Sequence, residues 1–512
     1  MITKVILPLL VTIICIAWYK WVTKDAVDKR SNPPLPSGPR DLPLVGSLPF
    51  LSADLHRCFA ELAQTYGPIM KIQLGGKLCI VVSSSSLAGE IMRDHETVFV
   101  NRDVSPAADI FSYGGSDMVF SLYGPQWRAI RSVCVKEMLN KTRLDACYSL
   151  RRREARGMLS RLYSKVGTPI NVGERMFETI SNVIMSMLWG GTLNEEERSI
   201  VGVESRKATK EFSALLGRPD ISDLFPVLAW FDIQGVKRKT KRIHIRLDQL
   251  CQSVIDRRIE IERQQTEESN GQQRKDLVQF LLQLNKEGDP KRPMTSVMMK
   301  ALLLDVLLAG SETSATTVEW AMAEMMQHPE ILRKVQVELE EVVGMNNVVE
   351  ESHLPKLQYL NAVIKETLRL HTTLPLILPR RAAQTCIIGG YTIPEGARVF
   401  VNLWAIHRDP TNWDNPSQFQ PERFLNETNN WDFNGNDFRY FPFGSGKRIC
   451  VGVPMARRMV PYILASLLHS FDWKITEEME LDLSEKFGLS IRPAKPVFAI
   501  PTPRLSNIQL YV

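Results

Sequence analysis

The chain has 512 residues, 44% of them hydrophobic, and a formal net charge of only +6. That is enough apolar material for one large domain or two to three average ones, and too little positive charge to argue for nucleic acid. Its eight cysteines are scattered without a CxxC pair or zinc-ligand spacing, which suits a reducing compartment with free thiols.

At the N-terminus, Val5 to Tyr19 is an uncharged, largely apolar run of fifteen residues, extended by Trp18, Tyr19 and Trp21 as an interfacial belt. A cleavable signal peptide would need small residues next, and aromatics and lysines follow instead. Lys20, Lys24, Lys29 and Arg30 outnumber Lys4, so the bulk of the chain is expected on the cytosolic side. We read residues 1–24 as a signal anchor and transmembrane helix, and 25–40 as a basic, proline-rich linker. The remainder, 41–512, is the catalytic domain. Pro33-Pro34-Leu35-Pro36-Ser37-Gly38-Pro39 must be stiff and extended.

Helical periodicity marks Gln126–Leu139, Lys241–Gln265, Ser296–Gln327, Pro329–Val343, Leu357–Leu370 and Val453–Phe471, the last with Pro461 as a kink point. Short β-like runs occur at Ile69–Leu74, Leu78–Ser83, Gly389–Ile393, Arg398–Leu403 and Val497–Pro501. The polar, glutamine-rich stretch Gln264–Arg274 reads as a surface loop. The fold class is therefore mainly α with a small β region.

Four motifs bear chemistry. Trp127-x-x-x-Arg131 spans one helical turn, so both side chains share a face and can donate to a carboxylate, or simply pack as a cation–π pair. Ala309-Gly310-Ser311-Glu312-Thr313-Ser314 interrupts an apolar helix with a glycine that costs about 1 kcal/mol relative to alanine. A helix break, restarted by Thr316-x-x-Glu319 as a capping box, would explain it without function. Glu366-x-x-Arg369 alone would be an ordinary surface pair. Finally, Phe443-Gly-Ser-Gly-Lys-Arg-Ile-Cys-Val-Gly452 sets Cys450 just before a helix, whose unpaired N–H groups stabilise a thiolate.

The last run resembles the haem-binding signature of the cytochrome P450 superfamily, with Lys447 and Val451 as mild departures, and the other motifs follow in family order across essentially the whole chain. The texture is similar to plant microsomal members. The resemblance implies a cytochrome P450 fold behind the membrane anchor and Cys450 as the axial thiolate ligand of the iron of heme b. Phe443 and Gly452 would be cofactor-binding, and Trp127, Arg131, Arg448 and Arg380 would hold the haem propionates. It also implies that a locally widened helix crosses the site, where Glu312 and Thr313 relay protons during oxygen activation. Arg423, in Phe419-Gln-Pro-Glu-Arg-Phe424, would close a structural triad with Glu366 and Arg369.

The implied reaction is insertion of one oxygen atom from O2, with electrons from NADPH through a separate flavoprotein, NADPH-cytochrome P450 reductase. That reductase would dock on a basic face drawn from Arg128, Lys136, Lys447, Arg457 and Arg458. By family position the pocket draws on Val104–Tyr113, Leu304–Ala309, Thr373–Leu378 and Phe487–Leu489, with Phe111, Asp305, Ala309, Ile377 and Phe487 as substrate residues. These stretches are mainly aliphatic and suit a lipophilic substrate. A sesquiterpenoid is expected, with a flavonoid or other phenolic as the alternative. A haem-thiolate isomerase or a haem-binding sensor is the rival class; isomerases of this type tend to lack the alcohol that Thr313 supplies. The implied location is the endoplasmic reticulum membrane, and the apolar run Leu224–Phe231 would add lipid contact near the substrate entrance.

Overall fold

The computed structural model describes residues 33–190, 192–266, 276–288, 294–425, 431–475 and 481–512. The expected anchor at 1–24, the first part of the linker and most of the polar stretch 264–274 lie outside them. The proline segment is extended, but it is not a free spacer: Ser37 O accepts from Lys71 N at 2.9 Å and Pro34 O from Thr392 N at 2.9 Å. A side chain at Gly38 would lie 2.0 Å from Lys71 O. Pro33 to Gly38 are therefore already tied into the folded domain, ahead of the expected boundary at 41.

Two strands, β1 (Ile69–Leu74) and β2 (Lys77–Val82), form an antiparallel hairpin. With β3 (Arg380–Arg381) and β4 (Arg398–Val401) they build one sheet in the order β1-β2-β4-β3, in which β2 and β4 run parallel. The strand read from Arg398 stops at Val401 because Asn402 turns the chain, its side chain accepting from Ala405 N to cap the helical turn Leu403–Ile406. Likewise Gly389 and Gly390, with φ of 54° and 80°, form a turn rather than strand before Tyr391–Ile393.

Among the described residues the helices that the site depends on include α1 (Pro106–Phe111), α2 (Pro125–Val133), α3 (Val172–Trp189), α4 (Glu195–Leu216), α5 (Val236–Thr266), α6 (Ser296–Gln327), α7 (Pro329–Val343), α8 (Gln358–Leu370) and α9 (Val453–Ser470); α5 and α7 pack behind those that line the cavity. The helix read over Gln126–Leu139 is α2 continued by a π turn at Cys134–Met138. Thr295 caps α6 and Pro329 opens α7, so both bounds match the sequence expectation. α6 is long and apolar enough to cross a membrane, yet it is the buried axis of the domain. It runs as unbroken α-helix through Ala309–Ser314, so neither the local widening nor the restart at Thr316 occurs. Gly310 has a packing reason instead: a Cβ there would meet Ile184 Cδ1 of α3 at 2.8 Å.

Candidate active site

Cys450 leaves a tight loop. Gly444 and Gly446 hold φ of 76° and 68°, Gly446–Arg448 makes a 3-10 turn, and Cys450 N donates to Phe443 O at 3.0 Å. At Gly446 a side chain would sit 2.3 Å from Glu96 Oε1, the carboxylate that also accepts from the backbone N–H of Lys447 and pairs with Lys447 Nζ at 2.8 Å. At Gly444 a Cβ would meet nothing within 4 Å, leaving open space beside Phe443. The loop then enters α9, where Gly452 N donates to Cys450 Sγ at 3.3 Å. The sulfur is enclosed by protein yet exposed, because what it faces is the cavity. Burial pushes its thiol pKa up, while the Gly452 amide and the charge of Arg131 pull toward thiolate.

Of the arginines that line that cavity, Arg102, Arg131, Arg380 and Arg448 form one group. Trp127 is flanked by Arg448 at 4.5 Å and Arg131 at 5.3 Å from its ring centre. Its indole N–H is already used on Met118 O at 3.0 Å, so only the arginine of the Trp-x-x-x-Arg pair is free to donate further. Arg131 donates to Ile449 O, Arg380 to Phe99 O, and Arg448 to Val100 O and Ser121 O. Arg102, which sequence reasoning missed, bridges backbone with Arg380 and donates to Leu378 O at 2.7 Å, leaving its buried Nε without an acceptor. All four line one cavity, and none has an ion pair among the described residues. Burial and mutual repulsion pull Arg102 well below its ordinary pKa; Arg380 and Arg448 are pulled down to about 10, chiefly by burial. Buried cations without acids are costly, and a ligand bearing two carboxylates would satisfy them. The residues present therefore fit haem: a thiol on one side, open space at Gly444, and a cluster of guanidiniums for two propionates.

The cavity measures about 1060 Å³. From α6 it receives Asp305, Ala309, Glu312 and Thr313. Thr313 Oγ1 donates to Ala309 O at 2.6 Å, which leaves its lone pairs for a donor in the cavity. Glu312 is buried, 3.9 Å from Arg492; burial raises its pKa against the pull of Arg492, Lys210 and Arg206. Asp305 accepts from Met118 N at 2.8 Å and is pushed well above the usual carboxylate range by burial and by Asp117, itself pushed up to about 6, chiefly by burial. Phe111 lines the cavity stacked on Phe212 of α4, at 3.7 Å between ring centres; Phe212, an apolar residue on a helix, carries no local signal that separates it from core. Ile377 lines it with a left-handed φ of 48°. Phe487 does not line it. That ring stacks on His56 at 4.9 Å, and Leu489 and Ser490 of the same turn reach the cavity instead.

Behind the site, Glu366 and Arg369 form a fully buried bidentate pair at 2.7 and 2.8 Å, and Arg423 Nε adds a third bond at 3.1 Å. Of the basic face, Arg128, Lys136 and Arg457 are exposed, whereas Lys447 pairs with Glu96 and Arg458 with Asp145 at 2.6 Å.

Comparison with known proteins agrees with this geometry. The sequence profile of the family "Cytochrome P450" matches residues 36–499. A flavonoid 3'-monooxygenase of Crocosmia x crocosmiiflora is 38% identical over 487 residues, covering 93% of this chain and 94% of that protein. A salviol synthase of Salvia pomifera is 37% identical, covering 96% of this chain and 97% of that one. Among solved structures, a zebra fish cytochrome P450 with abiraterone superposes with a TM-score of 0.74 at 27% identity, covering 88% of this chain and all of that one. The chain belongs to the cytochrome P450 family, as a haem-thiolate monooxygenase that uses O2, lipophilic substrates and electrons from NADPH delivered by a reductase.

Proposed function

We propose that this monooxygenase hydroxylates a flavonoid or related phenolic. The observation that carries the reading is the match to a flavonoid 3'-monooxygenase over nearly the full length of both chains. The cavity supports it: Phe111 and Phe212 offer an aromatic wall, and Asp305 and Ser490 add polar groups to apolar surroundings. The sesquiterpenoid expected from the sequence takes second place. Microsomes holding the chain and a reductase, supplied with NADPH and a panel of flavonoids and terpenes, test the choice. Hydroxylated phenolic product is expected; turnover of terpenes alone would overturn it.

In this proposal Cys450 would ligate the haem iron through its thiolate, and Arg102, Arg131, Arg380 and Arg448 would hold the propionates. Haem with a thiolate ligand supplies the oxygen-activating chemistry. The chain's own part is to place substrate and protons. Thr313 holds a hydroxyl at the cavity wall, and Glu312, which lines the same cavity with its pKa raised by burial, is the proton source. Thr313→Ala is expected to lower product formed per NADPH by about tenfold while haem content stays the same. Unchanged coupling would remove Thr313 from the relay.

We also propose that residues 1–24 anchor the chain in the endoplasmic reticulum membrane with the domain in the cytosol, assisted by the apolar segment before α5. Deleting Met1–Lys24 should release much of the protein with its haem spectrum intact. Loss of that spectrum in soluble, folded protein would place the anchor within the catalytic domain.

A further inference from the structure

A cluster of buried titratable groups lies apart from both the cavity and the Glu366 triad. At its centre is Glu485, at the base of a hairpin in which Glu485–Lys486 pairs antiparallel with Arg492–Pro493. Its side chain is buried; Arg57 donates to it at 2.7 Å, and His56, His371 and Arg408 stand 3.7, 3.6 and 3.7 Å away. Burial would raise the Glu485 pKa, but His371, His56 and Arg408 hold its carboxyl well below the usual range.

His371, the residue that ends α8, is held by α6. Its ring lies flat on Trp320, 3.8 Å between ring centres, and its Nε2 meets Glu324 at 2.6 Å. Its Nδ1 faces Glu485 Oε1 at 3.6 Å, and neither atom has a hydrogen-bond partner among the described residues. Arg408 also donates to Leu370 O, the last carbonyl of α8. The carboxylate of Glu485 therefore ties the hairpin to the end of α8 and, through one imidazole, to α6.

Two stretches of the cavity wall start from this cluster. Thr373 and Leu374 follow His371, and Leu489 and Ser490 follow Glu485. They are joined where Ile491 N donates to Thr373 O at 2.8 Å, and Leu489 N reaches Ser213 O of α4 at 3.1 Å. His56 holds the Phe487 ring outside the cavity, which leaves Leu489 and Ser490 to face it. A hairpin this short has little hold on its own register, and a slip of one residue would turn those side chains away.

We propose that Glu485 and His371 are positioning residues for substrate: together they fix the register of the hairpin, and so which side chains of Phe487–Ser490 wall the cavity and which position of a substrate is presented for oxidation. The inference rests on this cavity being the monooxygenase site and is independent of the substrate class.

The test uses the full chain with haem bound. Hydrogen exchange over residues 487–491 reads the turn. Two iron-binding azoles read the wall: imidazole, which is small, and clotrimazole, whose bulky triaryl group extends into the cavity. Glu485→Gln keeps the shape and removes the charge. It is expected to lower protection of 487–491 and clotrimazole affinity about tenfold each, with imidazole affinity, CO spectrum and protection of α9 unchanged. His371→Gln, which keeps a donor for Glu324, should reproduce this pattern, and the double variant should lose no more than either single one. Arg57→Gln, changed at the half-exposed partner, should give the same pattern at smaller size. Losses that add in the double variant would overturn the pairing of Glu485 with His371. Protection and clotrimazole affinity like the parent's in Glu485→Gln, or in Arg57→Gln where Glu485→Gln does not fold, would overturn the proposal. Neither readout uses a flavonoid, so failure of that reading and failure of this one are told apart.

Discussion

Two groups of buried arginines lie in this domain, and they are completed differently. Around Glu366, one carboxylate accepts from Arg369, Arg423 and Gln420 N, and the remaining Arg369 donors reach the carbonyls of His407, Pro416 and Gln418. Both guanidiniums also lie over Trp413. Around the cavity, Arg102, Arg131, Arg380 and Arg448 have only backbone carbonyls, and Arg102 Nε has no acceptor. The first group is finished by the protein and is structural. The second has cations facing open space with no acid at ion-pair distance, which is the arrangement of a site whose anions arrive with a ligand.

The largest effect that would break this contrast comes from Glu366→Gln. It strands the buried guanidinium of Arg369 and weakens the hold on the partly buried Arg423, a loss of about 3–5 kcal/mol against a total stability of about 5–15 kcal/mol. The variant is expected to accumulate no folded haem protein, read as an absent CO spectrum and rapid degradation. Normal accumulation would mean the triad does not hold the core.

Substitution in the second group should spare the fold and weaken the cofactor. Arg448→Gln or Arg380→Gln removes charge-assisted bonds of about 1.5–3 kcal/mol each, so haem should transfer to apomyoglobin about 10–100-fold more readily, with helical content unchanged by circular dichroism. Unchanged haem transfer would remove these arginines from the proposed cradle.

The smallest effect concerns pH. Burial, joined at Asp305 by the charge of Asp117, holds Asp305 and Asp117 above their ordinary 3.8, Asp117 at about 6. The folded state therefore binds more protons than the unfolded one, and stability contributed by these groups falls as pH rises from about 4 through 6 and beyond. Asp305→Asn keeps an oxygen for Met118 N and removes the charge. It should stabilise the protein at pH 7–8 by on the order of 1 kcal/mol and flatten the pH dependence of thermal melting. A variant equally or less stable at pH 8 would contradict this assignment.

Local signals made much of this legible. Thr295 as cap, Pro329 at a helix start and the period of α6 define elements whose bounds depend on neighbouring residues alone. Cys450 and Arg448 were found because their spacing is local. Arg102 was not, because nothing in Asn101-Arg102-Asp103 signals burial; its acceptor, Leu378 O, lies 276 residues away. Gly310 was read as either a helix break or a functional interruption, whereas it is close packing against Ile184 of a separate helix that the residue accommodates. Phe487 was placed by family position, and a difference within one turn sends Leu489 to the cavity and Phe487 to His56. The contacts of the proline segment are hidden for the same reason: proline dictates an extended chain but cannot say that Lys71 and Thr392 will bind it.

The most direct test of the haem-thiolate account is the reduced, CO-treated spectrum of Cys450→Ser, recorded beside the parent chain. Ser keeps the size of the side chain at the start of α9 and removes the thiolate. The account predicts that the thiolate-type CO band of the parent disappears while the domain still folds. A variant that retains that band would contradict the assignment of Cys450 as the iron ligand.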